Sequence, residues 1–214
     1  MENSYLDTYE YGLIATDMVD ITILPTLCEK ILGKEEYIKN LNDKSRVPFK
    51  YVNKDSITQY HYYYSLMELG IEEVDVIVTK IKELVFKLFG WETFYLKMWG
   101  NIYRKGDYIG LHKHMDNKSH TKFPYAISGH YFVHSTQPTA TTFFFRNHKK
   151  SPHDSTFKEV DVPNIPGEIT LFSSYIEHEF KQWDGDLRIS LAFDINNQPD
   201  ADIELLEKWK FIKV

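Results

Sequence analysis

The chain has 214 residues, 43% of them hydrophobic and 15% aromatic, which is enough to bury one sizeable core and too apolar for a disordered chain. Its 25 Lys and Arg against 31 Asp and Glu give a net charge of −6, which argues against a protein held on nucleic acid by phosphate contacts. One cysteine, Cys28, excludes an internal disulfide framework and a cysteine-built zinc site, and suits a reducing compartment. Residues 1–11 carry Glu2, Asp7 and Glu10 and lack the basic-then-apolar order of a secretion signal. No apolar run approaches the ~18 residues that a membrane span needs, so a cytoplasmic protein with no membrane contact is expected.

In chain order, residues 20–24 read as an opening strand. Pro25 then stands where proline can start a helix, and 26–40 carries Leu27, Ile31, Leu32 and Ile38 at helical spacing. The clearest helix is 71–89, where Val74, Ile77, Val78, Ile81, Leu84, Val85 and Leu88 recur on one face and Gly90 follows as a stop. Between these helices, 60–64 is aromatic and fits a strand or a helical turn. After Gly90 the pattern changes to short β-like runs at 93–103, 109–114, 125–134, 141–146, 168–173, 178–183 and 187–195. Turn signals separate them, among them Lys105-Gly106-Asp107, Ile165-Pro166-Gly167 and Asp184-Gly185-Asp186. Residues 200–214 suit a closing helix, and 209–214 alternates well enough for a strand. Many short strands behind one or two helices predict a mainly β protein, a sandwich or jelly roll with supporting helices. One domain over 1–214 is expected, with a helical support at 1–92, a β core at 93–198 and a closing segment at 199–214.

Chemistry concentrates in three places: Gly106-Asp107-Tyr108-Ile109-Gly110-Leu111-His112-Lys113-His114-Met115-Asp116, then Gly167 to Phe172 with His178, then Arg188-Ile189-Ser190. In a regular strand His112, His114 and Asp116 project to one face, and His178 can join them from a distant strand. Two histidines and a carboxylate with open positions are how non-haem Fe(II) sites are built. Taken singly, each residue has an ordinary reading: a polar strand edge for the histidines, an ion-pair arginine for Arg188, core packing for Tyr131. Phe143-Phe144-Phe145 reads as a buried strand, and Arg146 to Lys150 as a solvated basic loop. The remaining histidines carry no assigned role.

The ordered set Trp99-Gly100-Asn101, Gly106-Asp107, His112-x-His114, Ser128-Gly129-x-Tyr131, Gly167, Phe172, His178 and Arg188-x-Ser190 resembles the Fe(II)- and 2-oxoglutarate-dependent oxygenases. It is nearest to a subgroup related to prolyl 4-hydroxylases and common in phage and bacterial genomes. The resemblance implies a double-stranded β-helix, a cupin-like jelly roll. It also implies Fe(II), 2-oxoglutarate and O2 as cofactor and cosubstrates, with oxidative decarboxylation to succinate coupled to hydroxylation of a substrate, a peptide, protein or small molecule in preference to nucleic acid. It assigns the far carboxylate of 2-oxoglutarate to Arg188, with Ser190 and Tyr131 as hydroxyl donors. At the metal two readings stay open. His114, Asp116 and His178 form the usual two-histidine, one-carboxylate set; His112, His114 and His178 follow the subgroup's His-x-His register, leaving Asp116 outside the ligand set. A cupin-like three-histidine metal protein that does not use 2-oxoglutarate is the competing class, and Arg188 separates the two, because the oxygenase needs it pointing into the barrel and a simple metal cupin does not.

Overall fold

The computed structural model describes residues 14–41, 56–114, 127–146, 157–197 and 202–214. Strand β1, Ile14–Met18, precedes helix α1, Leu24–Lys39. The strand therefore lies earlier than 20–24, which instead forms a 3-10 turn, Ile21–Ile23, running into α1. The cause is local: the Asp20 carboxylate accepts from the Thr22 amide and Pro25 occupies the first helical turn, so these residues begin a helix. Helix α2 runs over Glu72–Phe89 and ends on Gly90, whose φ of 70° is the left-handed cap that glycine adopts at least cost. Of the aromatic stretch 60–64, Tyr60 ends a 3-10 turn, Ile57–Tyr60, and residues 61–63 continue as a turn, so no strand forms there.

The strands that follow are β2 (Tyr95–Tyr103), β3 (Ile109–His112), β4 (Ile127–Ser135), β5 (Ala140–Arg146), β6 (Phe157–Pro163), β7 (Glu168–Ser173), β8 (Glu177–Phe180) and β9 (Arg188–Asn196). With the C-terminal β10 (Ile212–Lys213) they build two antiparallel sheets, a six-stranded one in the order β1-β7-β4-β9-β2-β10 and a four-stranded one in the order β3-β8-β5-β6. From β2 to β9 the chain passes back and forth between the sheets, with only β5 and β6 following each other in one sheet, which wraps it into the double-stranded β-helix. Helix α3 (Ile203–Lys208) and β10 (Ile212–Lys213) close the chain, so the C-terminal segment is a helix followed by a strand, and β10 pairs with β2. Strand β6 was not legible as a run, although Val160 and Val162 alternate with Glu159 and Asp161 along it.

The larger sheet has two different faces. Its outer side packs on α1 and α2 through Leu191, Phe193, Ile195, Ile169, Leu171 and Tyr131 against Leu27, Ile31, Val74, Ile77 and Ile81. Gly129 is required there, because a Cβ at that position would stand 2.3 Å from the Phe193 ring. The inner side faces the smaller sheet across a cavity of about 780 Å³. Arg104 ties the helical layer to the strands with a bidentate ion pair to Glu35 of α1, at 2.7 and 2.8 Å. Among the described residues, no helix is long and apolar enough to cross a membrane.

Candidate metal centre and cosubstrate pocket

Strand alternation decides what enters the cavity. On β9 the residues Arg188, Ser190, Ala192 and Asp194 turn inward, while Ile189, Leu191, Phe193 and Ile195 turn to the helices. The facing register on β2 is Tyr103 opposite Arg188, Asn101 opposite Ser190, Trp99 opposite Ala192 and Lys97 opposite Asp194. These two rows form one wall. The opposite wall comes from the smaller sheet, where β3 and β8 pair with His112 beside His178.

His112, His114 and His178 converge, with one ring nitrogen of each within 4.8 Å of the others. Strand β3 ends at His112, shorter than the predicted 109–114, so His114 leaves the regular strand. Its amide donates to the Ser174 carbonyl at 3.2 Å, which turns the side chain back to the group. Every Nδ1 has an oxygen partner: Gly110 O at 2.8 Å for His112, Ile176 O at 3.0 Å for His178, and Asp194 Oδ1 at 2.5 Å for His114. Carbonyl and carboxylate oxygens accept, so Nδ1 donates in each ring, and in the neutral form of a ring Nε2 carries the lone pair. That is the form in which imidazole binds a metal, with its ring oriented by the other nitrogen. Burial, reinforced by the neighbouring His114, pushes His112 down to about 4. Burial together with His112 and His114 holds His178 well below the ordinary histidine range. Both rings are therefore neutral near pH 7. Asp116 lies outside the described residues.

Asp194 was absent from the sequence-predicted set. Besides His114 it accepts from Ser128 Oγ at 2.7 Å, and Ser128 in turn meets Ser174 Oγ at 2.7 Å. Burial pushes its carboxyl up, but His114, Ser128 and Lys97 outweigh this and leave it below the ordinary range. A signal for it existed: Arg188, Ser190 and Asp194 recur at even spacing on a strand whose odd positions are all apolar.

Arg188 is buried, and its Nη1 donates to Ser190 Oγ at 3.1 Å while its Nε has no partner. Three rings surround the guanidinium: Phe180 at 3.9 Å, Tyr103 and Phe132 at 5.2 Å each. Burial lowers its pKa to about 10. Phe180 and His178 stand two residues apart on β8, about 7 Å along a strand, so the cation lies one side-chain row from the histidines. Tyr131 is not brought to this pocket. It falls on the helix-facing side of β4, in the core with Leu191 and Ile169, because it alternates with the inward residues Ser128 and His130. The tyrosine beside Arg188 is Tyr103. His130 also lines the cavity, and burial, then Arg188, holds it down to about 3.

Comparison with known proteins agrees with this fold. Residues 97–194 match the family of 2OG-Fe(II) oxygenases. No protein with a curated description matches the chain in sequence. Among solved structures, a Pseudomonas putida prolyl-4-hydroxylase superposes with a TM-score of 0.58 at 11% identity, covering 86% of this chain and 92% of the other. A Trichoplax adhaerens prolyl hydroxylase, solved with a hypoxia inducible factor peptide fragment, gives 0.59 at 13% identity, covering 86% and 83%. AviO1 from Streptomyces viridochromogenes Tue57 gives 0.58 at 13% identity, covering 88% and 90%. At these identities the structural likeness speaks for the double-stranded β-helix, and the match in sequence speaks for the family. The sequence match is confined to residues 97–194, a little under half of the chain, and falls on the strands that carry the histidines and Arg188.

Proposed function

We propose that the protein is an Fe(II)- and 2-oxoglutarate-dependent dioxygenase acting as a hydroxylase, with His112, His114 and His178 as the metal ligands and Arg188 as the anchor of 2-oxoglutarate. The observation that carries the reading is Arg188: a buried guanidinium with an unpaired Nε, facing the cavity one row from three converging imidazoles. A buried cation without a carboxylate is costly, and a dicarboxylate reaching from the histidines to Arg188 removes that cost. The donor set fits a divalent iron, since neutral imidazole nitrogens suit Fe(II) and three ligands leave positions open for cosubstrates. Bound there, the iron would supply the O2 chemistry that couples decarboxylation of 2-oxoglutarate to oxidation of a C–H bond.

The protein's own part is binding and orientation. Arg188 presents a planar fork to the far carboxylate, and Ser190 Oγ, held between Arg188 Nη1 and Asn101 Nδ2, fixes the fork's plane. Phe180, Tyr103 and Phe132 keep water from the guanidinium, which strengthens its attraction for a carboxylate. The Nδ1 acceptors keep each imidazole in the ligating tautomer, and Asp194 places a negative charge beside a ligand set that has none. Likeness to prolyl hydroxylases gives no substrate by itself.

Anaerobic titration of the Fe(II)-loaded protein with 2-oxoglutarate tests the reading through the weak visible charge-transfer band of the chelate. A band that saturates in the wild type and is lost in Arg188→Met supports it. Iron binding without a band would instead identify a three-histidine metal protein of the cupin kind that does not use 2-oxoglutarate.

A further inference from the structure

The Arg188 end of the cavity carries a row of buried hydroxyl and amide groups that begins outside the β core. Ser56 caps the 3-10 turn Ile57–Tyr60, and Thr58 of that turn reaches the cavity wall; both are buried. Ser56 Oγ donates to Thr58 Oγ1 at 3.0 Å, and Thr58 Oγ1 donates to Asn101 Oδ1 at 2.6 Å. The second separation suits O–H···O and is too short for N–H···O, so the Asn101 amide presents its oxygen to Thr58. Its nitrogen then faces Ser190 Oγ, at 3.5 Å. Tyr103 also hydrogen-bonds Thr58. With the Thr58 hydrogen spent on Asn101, the phenol is the donor of that pair.

The direction of these bonds carries through to the anchor. Ser190 Oγ accepts from Asn101 Nδ2 and from Arg188 Nη1, which occupies both of its lone pairs. Its single hydrogen is left to donate, and Ser190 lines the cavity beside Arg188. We infer that Thr58 is a positioning residue for the cosubstrate: it sets which way the Asn101 amide faces, and through it commits the Ser190 hydroxyl to donate to the carboxylate that Arg188 holds. The inference rests on Arg188 being the 2-oxoglutarate anchor. An amide is nearly symmetric in shape, so Asn101 without Thr58 is free to turn over. It would then offer Oδ1 to Ser190 and take the hydroxyl hydrogen for itself. The far carboxylate would meet an oxygen lone pair where it needs a donor. The effect is confined to that carboxylate, since a 2-oxo acid of the same length without it has nothing to accept from Ser190.

The test is anaerobic titration of the Fe(II)-loaded full chain with 2-oxoglutarate and with 2-oxopentanoate, which lacks the far carboxylate, read by the charge-transfer band of the chelate. Thr58→Val should weaken 2-oxoglutarate by about tenfold and leave 2-oxopentanoate and Fe(II) within about twofold of the wild type. Thr58→Ser, which keeps the hydroxyl, should restore the affinity. In a Ser190→Ala background Thr58→Val should cost nothing further, because the two act through one hydrogen bond. Thr58→Ala is read in the same way should the valine variant not fold. Equal loss for both acids would make Thr58 merely structural and overturn the inference, as would the same loss in the Ser190→Ala background. A wild type with no 2-oxoglutarate band overturns the underlying reading and this inference with it. A wild-type band with undiminished affinity in Thr58→Val overturns the inference alone.

Discussion

The larger sheet separates two interiors built on opposite rules. Towards α1 and α2 it buries aliphatic and aromatic side chains that need nothing but close packing. Towards the smaller sheet it buries Arg188, Lys97, His130 and Ser190 and half-buries Asp194, groups whose desolvation works against folding. The same strand, β9, serves both. Its odd positions contribute to stability and its even positions hold chemistry, so stability and function should come apart when the two faces are changed in turn.

The sharpest break is His178→Ala. The imidazole packs edge-on against Phe172 and tilted against Phe143, with centroids at 4.8 and 5.6 Å, and its loss should lower stability by only about 1–3 kcal/mol. Metal binding, measured by competition against a chromophoric chelator, should weaken by more than about 100-fold, beyond what losing an orienting partner costs. Iron binding that persists near wild-type strength would remove His178 from the ligand set. The opposite case is Phe193→Ala on the outer face. Phe193 is fully buried against Gly129 and should cost about 3–5 kcal/mol in urea unfolding. Metal affinity of the folded fraction should stay within a few-fold. Strong loss of metal binding here would show that the two interiors are coupled through the sheet.

How much of this was legible follows the same division. Helix α2 and most strands were readable because apolar periodicity records burial against the helices. His112, His114, His178 and Arg188 were readable as an ordered set because residue type and spacing carry their chemistry. Lys97, Asp194 and Tyr103 were not singled out, since a lone charged or hydroxyl residue on an apolar strand looks the same whether it faces solvent or a cavity. Only the register between β2 and β9 tells which. Tyr131 shows the converse: a hydroxyl in the expected motif turns to the helical core because its parity on β4 is that of Gly129 and Val133. Local bending also escaped the pattern. His114 reaches the group after β3 has ended, through the Ser174 carbonyl, and not as the second position of a regular strand.

Asp194→Asn should produce a smaller effect than either, and it tests whether the two interiors are joined at the ligand set. The substitution keeps shape and keeps an oxygen that can accept from His114 Nδ1. It removes the charge that makes this hydrogen bond strong and that raises the electron-donating power of the opposite nitrogen. Ser128, which now donates to Asp194, keeps Ser174 as an alternative partner at 2.7 Å, so the network need not break. A metal affinity lowered by about 10–100-fold, with little change in unfolding midpoint, is the expected outcome. Ser128→Ala should then do less than Asp194→Asn, because it leaves the carboxylate in place. If Asp194→Asn leaves metal affinity untouched, the negative charge balancing the three imidazoles must come from elsewhere. Asp116→Ala, measured the same way, would then be the variant expected to lose the metal.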